Sequence, residues 1–135
     1  MCLLAGASRL GLGGRSAPGL VLAATGGDPL LAAVRQPGVA VVLYVFMCLV
    51  VPLIEETIFR GYVYAGLRRG LGVFGATVGA ALLFALMHPV AGFIPIALLG
   101  LVLAQLYERN RSLVPPIVCH ALHNFLALTL VLLVQ

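Results

Sequence analysis

Two adjacent carboxylates, Glu55 and Glu56, stand with Arg60 inside the apolar stretch VVLYVFMCLVVPLIEETIFRGYVYAGL. A charged side chain at membrane depth costs about 2.5–3.5 kcal/mol by insertion scales, so a cluster of them in a lipid-soluble run points to function. At helical spacing Glu56 and Arg60 are i, i+4 neighbours and can pair, whereas Glu55 points about 100° away and is left for another partner. The spacing therefore predicts two roles. Glu55, less compensated and partly desolvated, is the working acid/base, and Glu56 with Arg60 is a structural brace.

The histidines complete the chemistry. His88, His120 and His123 each lie at the end or edge of another apolar run. His120 and Asn124 are i, i+4 on one helix face, with His123 three residues from His120. Imidazole and carboxamide donors held on a rigid face can stabilise an oxygen that gains negative charge in a transition state, the requirement of an oxyanion hole. His88 is then a second acid/base, able to share a water with a carboxylate.

The elements that must position these groups are membrane helices. Hydrophobic residues make up 62% of the 135 and charged ones 9%, with a mean hydropathy of +1.16. That composition excludes a soluble domain and predicts an all-α, polytopic transmembrane helix bundle. All eight basic residues are arginine and the net charge is +4. A basic balance can signal a nucleic-acid partner, but the arginines fall mainly in short connections, where they act as topology signals, so the expected surroundings are lipid and no nucleic acid. Cys2, Cys48 and Cys119 form no disulfide framework and are read as small apolar residues.

Residues 1–37 are broken by Gly and Pro and hold no apolar run near the roughly 20 residues a spanning helix needs. They are expected to be a peripheral or poorly structured segment, and 38–135 the membrane core. Four spans are expected there. The first runs from about Val39 to Leu67 with Pro52 as a kink point. The second, Leu71 to His88, is rich in Gly and Ala for close packing. The third runs from Ala91 to Tyr107, and the fourth from the Pro115-Pro116 pair to the C-terminus. Arg68, Arg69, Arg109 and Arg111 lie in the first and third connections, which places that side in the cytoplasm. A depth count from the arginine side at 1.5 Å per residue puts His120 roughly 10 Å in, Glu55 about 18 Å and His88 about 26 Å. Straight parallel helices would keep these apart, so tilts, a kink at Pro52 or a frayed second helix must close the gap.

Three motifs, in order on the first, second and fourth spans, carry a resemblance. EETIFR (Glu55–Arg60) matches EExxxR, FALMH (Phe84–His88) matches FxxxH and HALHN (His120–Asn124) matches HxxxN. In these the chain resembles the CPBP family of intramembrane proteases, also called the Abi family, which includes CAAX proteases and bacteriocin-processing enzymes. The resemblance implies a membrane endopeptidase acting on a membrane-associated, possibly prenylated, protein or peptide, in a bacterial plasma membrane. Carried over, Glu55 and His88 would activate water and His120 and Asn124 would bind the oxyanion; Glu56, Arg60 and Phe84 complete the motifs. The family has been described both as zinc-dependent and as metal-independent, which leaves Glu55, His88, His120 and the additional His123 as candidate ligands for one divalent metal. Family members usually have about eight spans against four here, so the chain is expected to be a minimal member, a truncated product or a fragment. Two other readings compete: a catalytically silent immunity or interaction protein of the same fold, and a proton or ion conduit through Glu55, His88 and His120.

Overall fold

The computed structural model of the protein describes Ala33 and residues 36–134. The expected N-terminal segment lies outside the described residues but for Ala33, Gln36 and Pro37. Ala40–Gln135 form one compact unit, and its described residues are helical without a strand. Three helices are long and apolar enough to cross a membrane: Pro37–Leu86, Val90–Asn110 and Val114–Val134. Large apolar side chains such as Val42, Leu49, Phe74, Ile94, Leu122 and Leu133 point outward. An outer surface this apolar is suited to acyl chains, and the protein is an integral membrane protein.

The first helix is a succession of segments. Helix α1 (Pro37–Val45) passes into a π-helical turn at Phe46–Val50, then α2 (Val51–Glu56), then a second π-helical stretch at Thr57–Tyr64, then α3 (Ala65–Leu86). Two π segments thus bracket the six residues that carry the glutamates. Such wide turns are rare and gather at functional sites.

Helix α3 is two helices meeting at Gly72, whose φ of 68° and ψ of −172° lie outside helical space. That region is open essentially to glycine alone. Past Gly72 the chain returns antiparallel: Gly79 faces Leu67, Ala76 and Ala80 pack on Tyr64, and Phe84 meets Phe59. The return arm, 73–86, covers about 21 Å, short of the roughly 30 Å of a hydrocarbon core. The four expected spans are therefore three spanning-length helices, the first folded into a hairpin with one short arm. The arm stops at Leu86 because His88 precedes Pro89, which disfavours helical backbone before it and offers no N–H. A short 3-10 turn, Val90–Gly92, leads into α4 (Phe93–Asn110), and α5 (Val114–Val134) follows.

The small-residue face expected on the second span is the packing face. Ala76, Thr77, Ala80, Ala81 and Ala85 are buried on α3, opposite Gly100, Leu103 and Ala104 on α4. Small side chains let the backbones come close, which is how helices gain contact where no hydrophobic drive operates between them. At Gly100 the approach is closest: a Cβ there would lie 3.0 Å from Ala81 Cα and 3.1 Å from its Cβ. Gly100→Ala should therefore force the helices apart and lower stability by about 1–3 kcal/mol, the usual range for overpacking. A thermal midpoint in detergent equal to wild type would refute that tight contact.

The arginine-bearing end is held by Glu108. Its carboxylate accepts from Tyr64 Oη at 2.8 Å, from Arg68 Nη2 at 3.2 Å and from Arg111 Nη2 at 2.8 Å. The first and third connections thus share one end of the bundle. At the other end Tyr44 Oη and Thr129 Oγ1 are 2.8 Å apart, and Tyr44 packs on Phe125, which ties α1 to α5.

Candidate active site

The polar cluster is built around one fully buried ion pair. Arg60 Nη1 donates to Glu56 Oε1 at 2.7 Å, and both side chains are 0% exposed. Arg60 Nη2 reaches the main-chain carbonyl of Gly100 at 3.2 Å, an acceptor accessible because Gly100 carries no side chain. The guanidinium also lies over the face of the Phe84 ring, 4.7 Å from its centroid, where the ring quadrupole attracts a cation. Two charges in low dielectric persist only with close pairing and further hydrogen bonds. The i, i+4 pair read from the spacing is present.

His120, from α5, joins the same carboxylate. Its Nδ1 lies 2.9 Å from Glu56 Oε1; an ionised carboxylate only accepts, so Nδ1 carries the hydrogen. The other ring nitrogen, Nε2, faces Glu55 Oε2 at 3.6 Å. Glu56 is thus more than a brace for Arg60. One of its oxygens meets both the guanidinium and the imidazole.

Glu55 is the exceptional carboxylate. Its side chain is 27% exposed, yet Oε2 itself is buried and without a hydrogen-bond partner, as are Glu56 Oε2 and Arg60 Nε. That oxygen lies beside an imidazole nitrogen, and buried polar atoms are nearly always satisfied by protein or ordered water.

His88 enters from the end of α3. Its Nδ1 lies 2.8 Å from the Phe84 carbonyl oxygen, and since a carbonyl can only accept, Nδ1 is the protonated nitrogen of the neutral ring. Nε2 is then left with its lone pair available as a base. The Phe84 ring is the spacer between the imidazoles, with centroids 4.8 Å from His88 and 5.6 Å from His120. Phe84 is fully buried.

His120 and Glu55, held apart in the depth count along ideal helices, meet here with Nε2 and Oε2 3.6 Å apart. The π-helical stretch Thr57–Tyr64 separates Glu55 from the arginine end, and a π turn takes up more residues than an α turn. His88, beyond the helix end, folds its ring back one turn onto the Phe84 carbonyl.

Glu55, Glu56, Arg60, Phe84 and His120 are drawn into one cluster, with His88 against Phe84. Asn124 and His123 face elsewhere. Asn124 donates from Nδ2 to the carbonyl of Met47 at 2.8 Å. His123 is exposed along a groove of about 680 Å³ between α4 and α5, with Cys119, Leu122 and Leu126. Among the described residues no three His, Cys, Asp or Glu side chains converge as a metal-ligand set. The Met47 and Gly100 carbonyls as partners escape any motif, because a main-chain acceptor has no residue-type signature.

A family model described as type II CAAX prenyl endopeptidase Rce1-like matches residues 37–126, a range that contains every residue of the cluster. No curated protein and no solved structure matches the chain.

Proposed function

From the premise that the chain belongs to the Rce1-like type II CAAX prenyl endopeptidases, a family of membrane proteases, we propose a residue-level reading of its chemistry. It hydrolyses a peptide bond of a membrane-associated, prenylated protein or peptide, with Glu55 and His88 activating the water. The observation that carries this is the buried, unpartnered Glu55 Oε2 facing His120 Nε2 at 3.6 Å. A water held at that oxygen gives a proton to the carboxylate as its oxygen adds to the scissile carbonyl. His88 Nε2, kept free by the Nδ1–H bond to Phe84 O, is the second acceptor.

His120 receives the developing oxyanion. With Nδ1–H committed to Glu56, a hydrogen on Nε2 makes the ring an imidazolium, and a cationic donor stabilises an oxyanion more than a neutral one does. Glu56, itself held by Arg60, balances that charge. The resemblance implies the same role for Asn124, but its amide nitrogen is turned to Met47 O, so His120 is the donor we assign to the oxyanion. Collapse of the tetrahedral intermediate returns the proton from Glu55 to the leaving amine, and the carboxylate is regenerated. The setting we assign is a bacterial plasma membrane with the Arg68/Arg111 end cytoplasmic.

The test is direct. The chain purified in detergent should cleave a quenched, farnesylated peptide reporter, and His88→Ala should slow it by about 100-fold, the lower bound for loss of a positioned acid/base. A wild-type chain that cleaves no such reporter, or a His88→Ala chain as fast as wild type, overturns the reading and favours a silent interaction protein of the same fold.

A further inference from the structure

The Asn124–Met47 contact has a cause in the backbone. Val51 N–H bonds to Phe46 O, a π-type bond spanning five residues. Continued by one residue, the same register would aim the Met47 carbonyl at the N–H of residue 52. Residue 52 is proline, which has none. An unsatisfied carbonyl at membrane depth is costly, and neighbouring helices or polar side chains are the usual remedy. Asn124 Nδ2, 77 residues further along the chain, donates to that oxygen at 2.8 Å.

We infer that Asn124 is a positioning residue: its amide stands in for the N–H that Pro52 lacks, and so fixes how α5 sits against the first helix at the active site. Pro52 is buried and lies three residues before Glu55. Asn124 lies one turn beyond His120 on α5. The bond therefore joins the two elements whose relative placement sets the approach of His120 Nε2 to Glu55 Oε2. A slip of α5 by even a fraction of a turn would part them. Proline thereby makes the first helix and α5 depend on each other, since the π-helical turn before Pro52 cannot satisfy the Met47 carbonyl without α5. This inference rests on the proposed reaction for its effect on rate, but the bond itself is testable without any cleavage.

The test is a double-mutant cycle. Asn124→Leu keeps the branched heavy-atom skeleton and removes the donor. It should lower the thermal midpoint in detergent by roughly 4–8 °C and slow cleavage of the farnesylated reporter by at least about tenfold. Pro52→Ala restores an N–H at residue 52, so in that background both losses should shrink to a minor fraction. An Asn124→Leu effect on the midpoint that is equal in both backgrounds overturns the inference. A midpoint that recovers while the rate does not also overturns it, because Asn124 would then act on the reacting atoms directly. Should Pro52→Ala fail to fold, infrared spectroscopy of chain labelled with carbonyl-isotope methionine decides: the Met47 amide band should move towards the unbonded position in Asn124→Leu, and an unmoved band refutes the bond. A wild type that cleaves nothing removes the proposed reaction alone; the midpoint cycle and the infrared band still decide the bond.

Discussion

Glu55→Gln should lower kcat by about 10²–10⁴-fold, the contribution typical of a positioned general base, while leaving the protein as stable as wild type or slightly more so. The two halves of this expectation share one observation. Glu55 Oε2 is buried with no hydrogen-bond partner, so the native side chain holds polar capacity that the fold does not use. Glutamine keeps the shape, cannot take up the water's proton, and is less costly to bury than a carboxylate. Initial rates on the farnesylated reporter and thermal midpoints in detergent, taken on one preparation, separate the two effects. A variant cleaving within about threefold of wild type would end the case for Glu55 as base, since loss of a true base is at least tens-fold larger. A variant that also unfolds would mean that the carboxylate is a structural group.

The opposite pattern is expected one residue on. Arg60→Met leaves the Glu56 carboxylate fully buried with His120 Nδ1 as its remaining partner, and breaking a buried pair from one side costs about 3–5 kcal/mol. Stability should fall by that order, enough to leave much of the protein unfolded at 37 °C given the margin of typical domains. Adding Glu56→Gln removes the stranded charge and should restore most of the midpoint, because a buried ion pair replaced on both sides is often close to neutral for stability. Activity should not return with it. Glu56 also orients His120 and balances its charge, and a glutamine does the second of these not at all. Recovery of both stability and rate in the double variant would show that Glu56 serves Arg60 alone.

How far such a site can be read from a linear sequence depends on where each partner lies along the chain. The Glu56–Arg60 pair was legible because both ends sit on one helix at a spacing that i, i+4 geometry fixes. The small-residue face of the second arm was legible for a similar reason: Ala76, Ala80 and Ala81 follow the helical period. The break expected between Leu67 and Leu71 falls instead at Gly72, just inside the expected second span, where φ is 68°. Glu56 and His120, by contrast, are 64 residues apart, and only the arrangement of three helices says which of the two glutamates takes the imidazole. Spacing paired Glu56 with Arg60 but missed that the same oxygen also meets the His120 imidazole. His123 shares a helix with His120 yet faces outward, because three residues turn a side chain well off the direction of the first. The π-helical turns have no sequence mark beyond Pro52.

The turn at Gly72 bears on how the charges come to lie inside the bilayer at all. Glu56 and Arg60 belong to one continuous helix and find each other locally, and Phe84, whose ring faces the guanidinium, belongs to the same folded-back pair of arms. Every one of those contacts lies within residues 37–86, so a newly made segment can neutralise its own ionic load as a hairpin before Gly100 or His120 has left the ribosome. Insertion then faces a dipole rather than two bare ions. The later helices dock against a polar knot already tied, and His120 joins it only when the last of them arrives.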